Sequence, residues 1–480
     1  MKDYSFGNYI CALRTGLGLS QFQLGTLVGV SDKAVSKWEN GDAMPRVGTC
    51  HRLAAVLGVS INELLSCKQE ITIPARKELE KMNSELWKEA YRHLSIYGEH
   101  PPAACLSRLA SEEAALSATD AIQGFALMGQ LQEEARKHNT IVLASGPVNS
   151  SFAAWLFGGT LVNPMPAHYR CPACGCTEFV ADVNDGFDLP PKRCACGAEL
   201  IRDGHNIPFQ GYAKTEQRGT NLELRVSSGF LPRAVSILKE FYDGVAQILP
   251  VRLLSDGEAY IDRYIILPEN KARPALSEDG FWRCSGEEYW QWQSGETSYM
   301  FLPVKTLDVL EEQMGKTGAS IPEPQTLITP QMVHSLYQSR SKQLPQIAKP
   351  ITEQECTFDL LVRIDSMTHS SFKQNPNVRF RSVPFADLPA TREDIWINVR
   401  DALAAGGVRD DGFALLVMET CRKGLYHSRG IPDGHRKLFC SLGLPEWYPD
   451  YLENTMYLFP KGHCIAYLLI DALMHHCSHT

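Results

Sequence analysis

Two tight pairs of cysteines constrain this chain more than any other feature. Cys171-Pro-Ala-Cys174-Gly and Cys194-Ala-Cys196-Gly are separated by nineteen residues. Zinc takes four soft or borderline ligands in a tetrahedron, and thiolates on two tight Gly turns provide them. A site made wholly of thiolates leaves no open position for chemistry, so the expected ion is a structural Zn2+. The second pair is one residue shorter than Cys-x-x-Cys, and Cys176 offers a spare thiol. The alternative is a set of free thiols in a loop. The chain has 15 cysteines, an odd number, and opens on MKDYSFGNYI, which lacks an apolar core and a cleavage site. That favours reduced thiols, one metal site and a cytoplasmic location.

The bulk numbers bound the rest. At 480 residues, 44% hydrophobic and 21% charged, the chain can bury several cores. A net charge of −8 gives no global attraction to nucleic acid, so any DNA contact has to come from a local patch. No apolar run is long enough for a membrane span.

The first 67 residues read as short helices. Ser20-Gln21-Phe22-Gln23 is a capping box, followed by Leu24 and Leu27 at apolar positions. After a break at Gly29, Ser31 caps a second helix with Val35 and Trp38 on its apolar face, and Asn40-Gly41 stops it. Ser60-Ile61-Asn62-Glu63 opens a last helix. Two short helices joined by a tight Gly turn make a helix-turn-helix. The stretch LSQFQLGTLVGVSDKAVSKWENGDAMP resembles the Cro/C1 repressor family. That resemblance implies double-stranded DNA as partner. Asp32, Lys33, Ser36 and Lys37 would face the major groove or its rim, and Gln21 and Asn40 would hold phosphates. The plainer alternative is a helical bundle for protein contact. Modules of this type usually act as dimers. The charged stretch 75–94 either supplies a homodimer interface or simply connects.

A second resemblance begins in the cysteine region. VNPMPAHYRCPACG, GFDLP, CACGAELIRDGHNIPF and SSGFLPRA are similar to the palm of the PolC-type DNA polymerase III alpha subunit, of the C family. LASGPVNSSF resembles its phosphate loop, TFDLLVRIDSMTH its second catalytic strand, and LVMETCRKG with LPEWYPDYLENTMYLFPKGHCIAYLL part of its fingers. The blocks keep family order from about residue 101 to 473. They imply a shortened body without the family's exonuclease, phosphatase-like and C-terminal DNA-binding parts.

Polymerases transfer phosphoryl groups with two metal ions held by carboxylates. The resemblance places the family's Asp-x-Asp pair on NLELRV, at Asn221 and Glu223, and its third Asp at Asp365. NLELRV alternates polar and apolar residues, as a half-buried strand does. An amide at 221 brings no charge to a pair of divalent cations, so a working Mg2+ site is not expected. Where the family's phosphate loop has an Arg, this chain has Ser145. Lys461 and His463 match positions near the incoming nucleotide, and Arg422 and Lys423 lie in a matching RKG. A basic surface kept for folding or for DNA backbone contact is the alternative for these four. The tail His475-His476-Cys477-Ser478-His479 reads as a frayed terminus rather than a metal site.

The expected architecture is α+β and multidomain: an all-α helix-turn-helix module over 1–67, a helical linker over 68–100, palm-like parts over 101–165 and 209–372, a zinc-binding insertion over 166–208, and a helical fingers remnant over 373–480. Three functions compete. The first is a regulatory DNA-binding protein with a catalytically impaired polymerase body that holds primer-template, nucleotide or a replication protein. The second is an active nucleotidyltransferase that recruits Asp243 or Asp262 beside Glu223 and Asp365. The third is a zinc-stabilised platform for replication proteins.

Overall fold

The computed structural model describes residues 20–40, 43–57, 77–117, 119–209, 220–253, 262–269, 271–293, 296–317, 322–344, 350–370, 383–408 and 411–479, with 6, 7, 10, 11, 14 and 64. The chain forms two compact units that divide after Lys77.

The first unit is helical. Its helices Gln21–Val28, Asp32–Glu39 and Val47–Leu57 pack around Leu24, Val28, Val35, Trp38, Leu53 and Leu57. The capping signals act as the sequence predicts. The Ser20 hydroxyl accepts from the Gln23 N–H at 3.1 Å while the Gln23 side chain accepts from the Ser20 N–H at 2.8 Å. Ser31 caps the second helix through the Ala34 N–H. One expectation is corrected: Leu27 is exposed, and Val28 takes its place in the core. The angular step from Leu24 to Val28 is nearer a full helical turn than the step to Leu27. The capping box at residues 60–63 lies outside the described residues.

The second unit is built on two sheets. The larger has six strands in the order β1 (Leu143–Ala144), β5 (Asn221–Val226), β9 (Ser298–Pro303), β7 (Asp262–Pro268), β6 (Ala246–Leu253), β8 (Trp282–Cys284). β5 runs parallel to β9 and β6 parallel to β8, and the other pairs are antiparallel. The alternation in NLELRV is realised: Leu222, Leu224 and Val226 are buried, and Asn221, Glu223 and Arg225 line the other face. The buried side packs with Tyr299, Phe301 and Tyr264 against the helices Ala121–Lys137 and Leu231–Phe241. Pro232 begins the second of these helices, where its missing N–H costs no hydrogen bond.

The smaller sheet, β3 (Thr177–Phe179), β2 (His168–Arg170) and β4 (Ile201–Asp203), carries the cysteine loop. Beyond the larger sheet the chain is helical. Thr391 and Asp394 form a capping box at the start of Arg392–Ala405. The long helix Lys461–His479 buries Cys464, Ile465, Leu468 and Leu469 in the helical core.

Three further expectations change. The aromatic-rich stretch 280–301, whose alternation in the sequence is strand-like, holds a helix, Gly286–Gln293, between β8 and β9. The histidine-rich tail continues the last helix as far as His479 rather than fraying. Most important, residues 358–368 form a helix and not a second catalytic strand. Thr357 caps it by accepting from the Leu360 N–H. Its buried residues, among them Phe358, Leu361, Val362, Ile364, Asp365 and Met367, span more than one side of the helix. Asp359, Leu360 and Arg363 are half-buried along the remaining side.

Candidate metal loop and strand face

The four thiols of Cys171, Cys174, Cys194 and Cys196 lie within 4.8 Å of one another, the one such group of metal-ligating side chains among the described residues. Cys171 and Cys196 are 3.4 Å apart, and Cys174 and Cys194 are 3.6 Å apart. A zinc tetrahedron with bonds of about 2.3 Å has sulfur edges of about 3.8 Å, so the donor set fits that ion. Gly175 makes the first turn possible. It has φ of +71°, and a Cβ there would sit 2.2 Å from the Gly98 nitrogen. The Cys174 N–H, 3.4 Å from the Cys171 sulfur, is the chief reason that this thiol is pulled down to about 6, which favours the thiolate. The Cys-x-Cys pair delivers both of its thiols. Cys176 stays outside the group, and its carbonyl accepts from the Cys171 N–H.

The loop is anchored below. His205 and Asp185 form a fully buried pair at 2.8 Å. The Asp188 carboxylate accepts from the N–H groups of Phe358 and Asp359 at the start of the helix Phe358–Thr368. Burial pushes that carboxyl up to about 6, and Asp185 adds to the shift.

The face of β5 is arranged differently. Asn221, Glu223 and Arg225 share it, and the parallel register sets Ser298, Met300 and Leu302 of β9 beside them. None of these three β9 residues is acidic. The Ser298 hydroxyl donates to the Asn221 side-chain oxygen. Glu223 is met by its neighbour on the same face, with Arg225 Nη2 3.3 Å from Glu223 Oε1. Arg225 Nε also donates to the Ser145 hydroxyl at 3.1 Å, and Nη1 donates to the Tyr467 hydroxyl. Ser145 continues from β1 and donates its own N–H to the Glu223 carbonyl at 3.0 Å.

Asp365 lies on a helix and is 2% exposed. Its carboxylate is engaged by Arg340 Nε at 2.6 Å and by the Cys464 thiol at 3.2 Å, while Arg340 also reaches Asp471. Asp262 is paired with Arg252 at 2.8 Å. It precedes Arg263, which pairs across from Met300, so it points to the opposite face from Glu223. Asp243 stands in an exposed turn after Leu231–Phe241.

Lys461 and His463 are two residues apart on one helix, about 200° in rotation, and serve different surroundings. Lys461 is buried beside a cavity of about 190 Å3 whose lining includes Asp359, Arg363, Asn184 and Asn398. His463 packs edge-on against Tyr467 and Phe459. Burial lowers it to about 4, with the charges of Arg225, Arg392 and His369 acting in the same direction. Arg422 and Lys423 both pair with Glu419 at the end of Asp411–Arg422.

In the helix-turn-helix unit, Asp32, Lys33, Lys37 and Asn40 are exposed, and Ser36 is half-buried. Gln21 turns inward and donates to Glu39, which Arg14 also holds at 2.6 Å. The Asn40 amide lies 3.4 Å from the Ser36 hydroxyl.

Arg225 and Tyr467 are the contributors that the sequence reading passed over. The signal for Arg225 was its spacing: two residues from Glu223 on a strand is the same face. Nothing in the sequence marks Tyr467, which arrives from a helix more than 200 residues away.

Comparison with known proteins gives each unit a counterpart. Residues 12–64 match the family model described as Helix-turn-helix. The chain is also similar to DNA polymerase III PolC-type of Bacillus cereus, with 26% identity covering 78% of this chain and 31% of that protein. The PolC-type proteins of Staphylococcus saprophyticus and Bacillus subtilis are 24% and 25% identical, each match covering 85% of this chain and 33% of the relative. This chain thus spans about a third of the length of the curated relatives it matches. A helix-turn-helix domain of the Cro/C1 type is joined to a body homologous at low identity to PolC-type DNA polymerase III. Among the described residues, no helix is long and apolar enough to cross a membrane.

Proposed function

We propose that this is a regulatory DNA-binding protein whose body is a catalytically impaired relative of the PolC-type polymerase. The helix-turn-helix unit finds a site on double-stranded DNA. The exposed Lys33 and Lys37 on the second helix suit contact with a DNA groove and its phosphates. The body holds primer-template DNA or a nucleotide without turning it over, and the four-thiol loop carries a structural zinc ion.

The observation that carries the impaired reading is the β5 face. Asn221 is neutral, Glu223 is ion-paired with Arg225, the β9 residues beside them are Ser298, Met300 and Leu302, and Asp365 is committed to Arg340. Two divalent cations about 3.5–4 Å apart need several converging carboxylates. Glu223 alone brings one negative charge, and a guanidinium already stands against it.

Primer extension tests this directly. The full chain, given a primed template, four deoxynucleotides and Mg2+ or Mn2+, is expected to yield no extension above a no-protein control. Template-directed extension that Glu223→Gln abolishes would overturn the reading.

A further inference from the structure

Arg225 has more capacity than its present contacts use. A guanidinium carries five N–H groups in a planar fork. Nε serves the Ser145 hydroxyl, one Nη1 hydrogen serves Tyr467, and one Nη2 hydrogen serves Glu223. Two N–H groups remain without a partner among the described residues, and the side chain is 28% exposed. The Tyr467 ring centroid lies 5.4 Å from the guanidinium carbon, and its hydroxyl accepts from Nη1. His463 packs edge-on against the same ring, with centroids 4.9 Å apart. Its Nδ1 is buried with no partner among the described residues. The charges that bear on His463 are those of Arg225, Arg392 and His369. Of these, Arg392 is paired with Glu393 at 3.3 Å and His369 lies 3.9 Å from Asp365, whereas Arg225 keeps open N–H groups beyond its contact with Glu223.

We propose that Arg225 is a resident cation standing where a divalent metal would otherwise be needed, and that this face binds phosphate groups of a nucleoside triphosphate or a DNA backbone without metal. The inference rests on the reading above, in which the β5 face looks toward nucleotide or primer-template. It deepens that reading by assigning the ligand chemistry and the group that supplies the charge. A fork with two open N–H groups matches two phosphate oxygens. Glu223 competes with the ligand for the same guanidinium, so it sets the affinity from within the chain.

The test uses the full chain in EDTA at low salt, with two probes: a fluorescent deoxynucleoside triphosphate and a 3′-recessed hairpin. The triphosphate reports on the body alone. For the hairpin, any helix-turn-helix contribution is the same in every variant and cancels. Arg225→Gln is expected to weaken binding about 10–100-fold, the value of charge-assisted hydrogen bonds. Glu223→Gln is expected to tighten it about 3–10-fold by removing the competing carboxylate. A misfolded variant would not bind more tightly, so the second substitution guards the first. Response with the triphosphate identifies a nucleotide ligand, and response with the hairpin alone identifies the DNA backbone; both support the proposal. Wild-type binding that requires Mg2+ or Mn2+, or binding indifferent to Arg225→Gln, overturns it. Extension assays on the same samples separate the two ideas. Extension sinks the impaired-polymerase reading, whereas metal-dependent binding without extension sinks only the role given to Arg225.

Discussion

The cysteine loop and the β5 face pose the same electrostatic problem and answer it in opposite ways. In the loop, four thiols converge within 4.8 Å, an arrangement that calls for a cation from outside. On β5 the single carboxylate of Glu223 has its cation supplied by the chain, two residues further along the same face. An external ion can be lost or exchanged, and a guanidinium cannot. The difference is one of source: the loop's donors have no cation of their own, whereas Glu223 faces a cation that the chain itself carries. The apolar side of β5, through Leu222, Leu224 and Val226, is indifferent to what stands on the polar side.

The largest expected effect is on the loop. Chelating zinc, or changing Cys174 to Ser, should remove about one equivalent of metal and cost several kcal/mol, because metal binding in such loops is folding free energy. Metal analysis and thermal melting would show both, with metal lost as pH falls and the thiolates protonate. If Mn2+ paramagnetic resonance instead found an ion bound at β5 in the wild-type chain, the contrast between the two regions would fail.

Next in size is Asp365. Changing this buried partner of Arg340 and Cys464 to Ala should cost about 1–3 kcal/mol by chemical denaturation, because its hydrogen bonds are lost while Asp471 still pairs with Arg340. A metal ligand would instead leave stability equal or higher and reduce ion binding. Smaller again is Lys37→Ala, expected to weaken DNA binding at every sequence and to lower the salt slope by about 1 in a titration of affinity against salt.

The smallest effect is a pH dependence. His463 has its folded value lowered to about 4 from an ordinary 6.5, so the unfolded chain binds the extra proton between these limits. Its contribution to stability is complete above about 6.5 and is lost as pH falls toward 4. Asp188, raised to about 6 from 3.8, acts with the opposite sign over part of that window. The wild-type curve minus that of His463→Asn isolates the histidine.

Local signals in the sequence were legible wherever local physics decides the outcome. Ser20 and Gln23 satisfy each other's backbone groups, and Ser31 caps the helix it precedes. The alternation in NLELRV matched its burial residue by residue. The cysteine spacing brought all four thiols together, although the shorter second pair left the role of Cys176 open. Long-range partners were not legible. The strand beside β5 begins 77 residues after it, and only pairing reveals that Ser298 and Met300 stand opposite Asn221 and Glu223. The stretch TFDLLVRIDSMTH misled because a short, largely apolar run satisfies helix and buried strand alike. Thr357 was the distinguishing residue, since its hydroxyl caps a helix and would have no such task in a strand.

Asp188 ties the segment of the cysteine loop to the helical part of the same unit. It leaves the base of the cysteine loop and holds the first two amides of the helix that carries Asp365. The segment that bears the thiols is thus fastened to the helical core by two hydrogen bonds, at the helix that packs beside the one carrying Arg340.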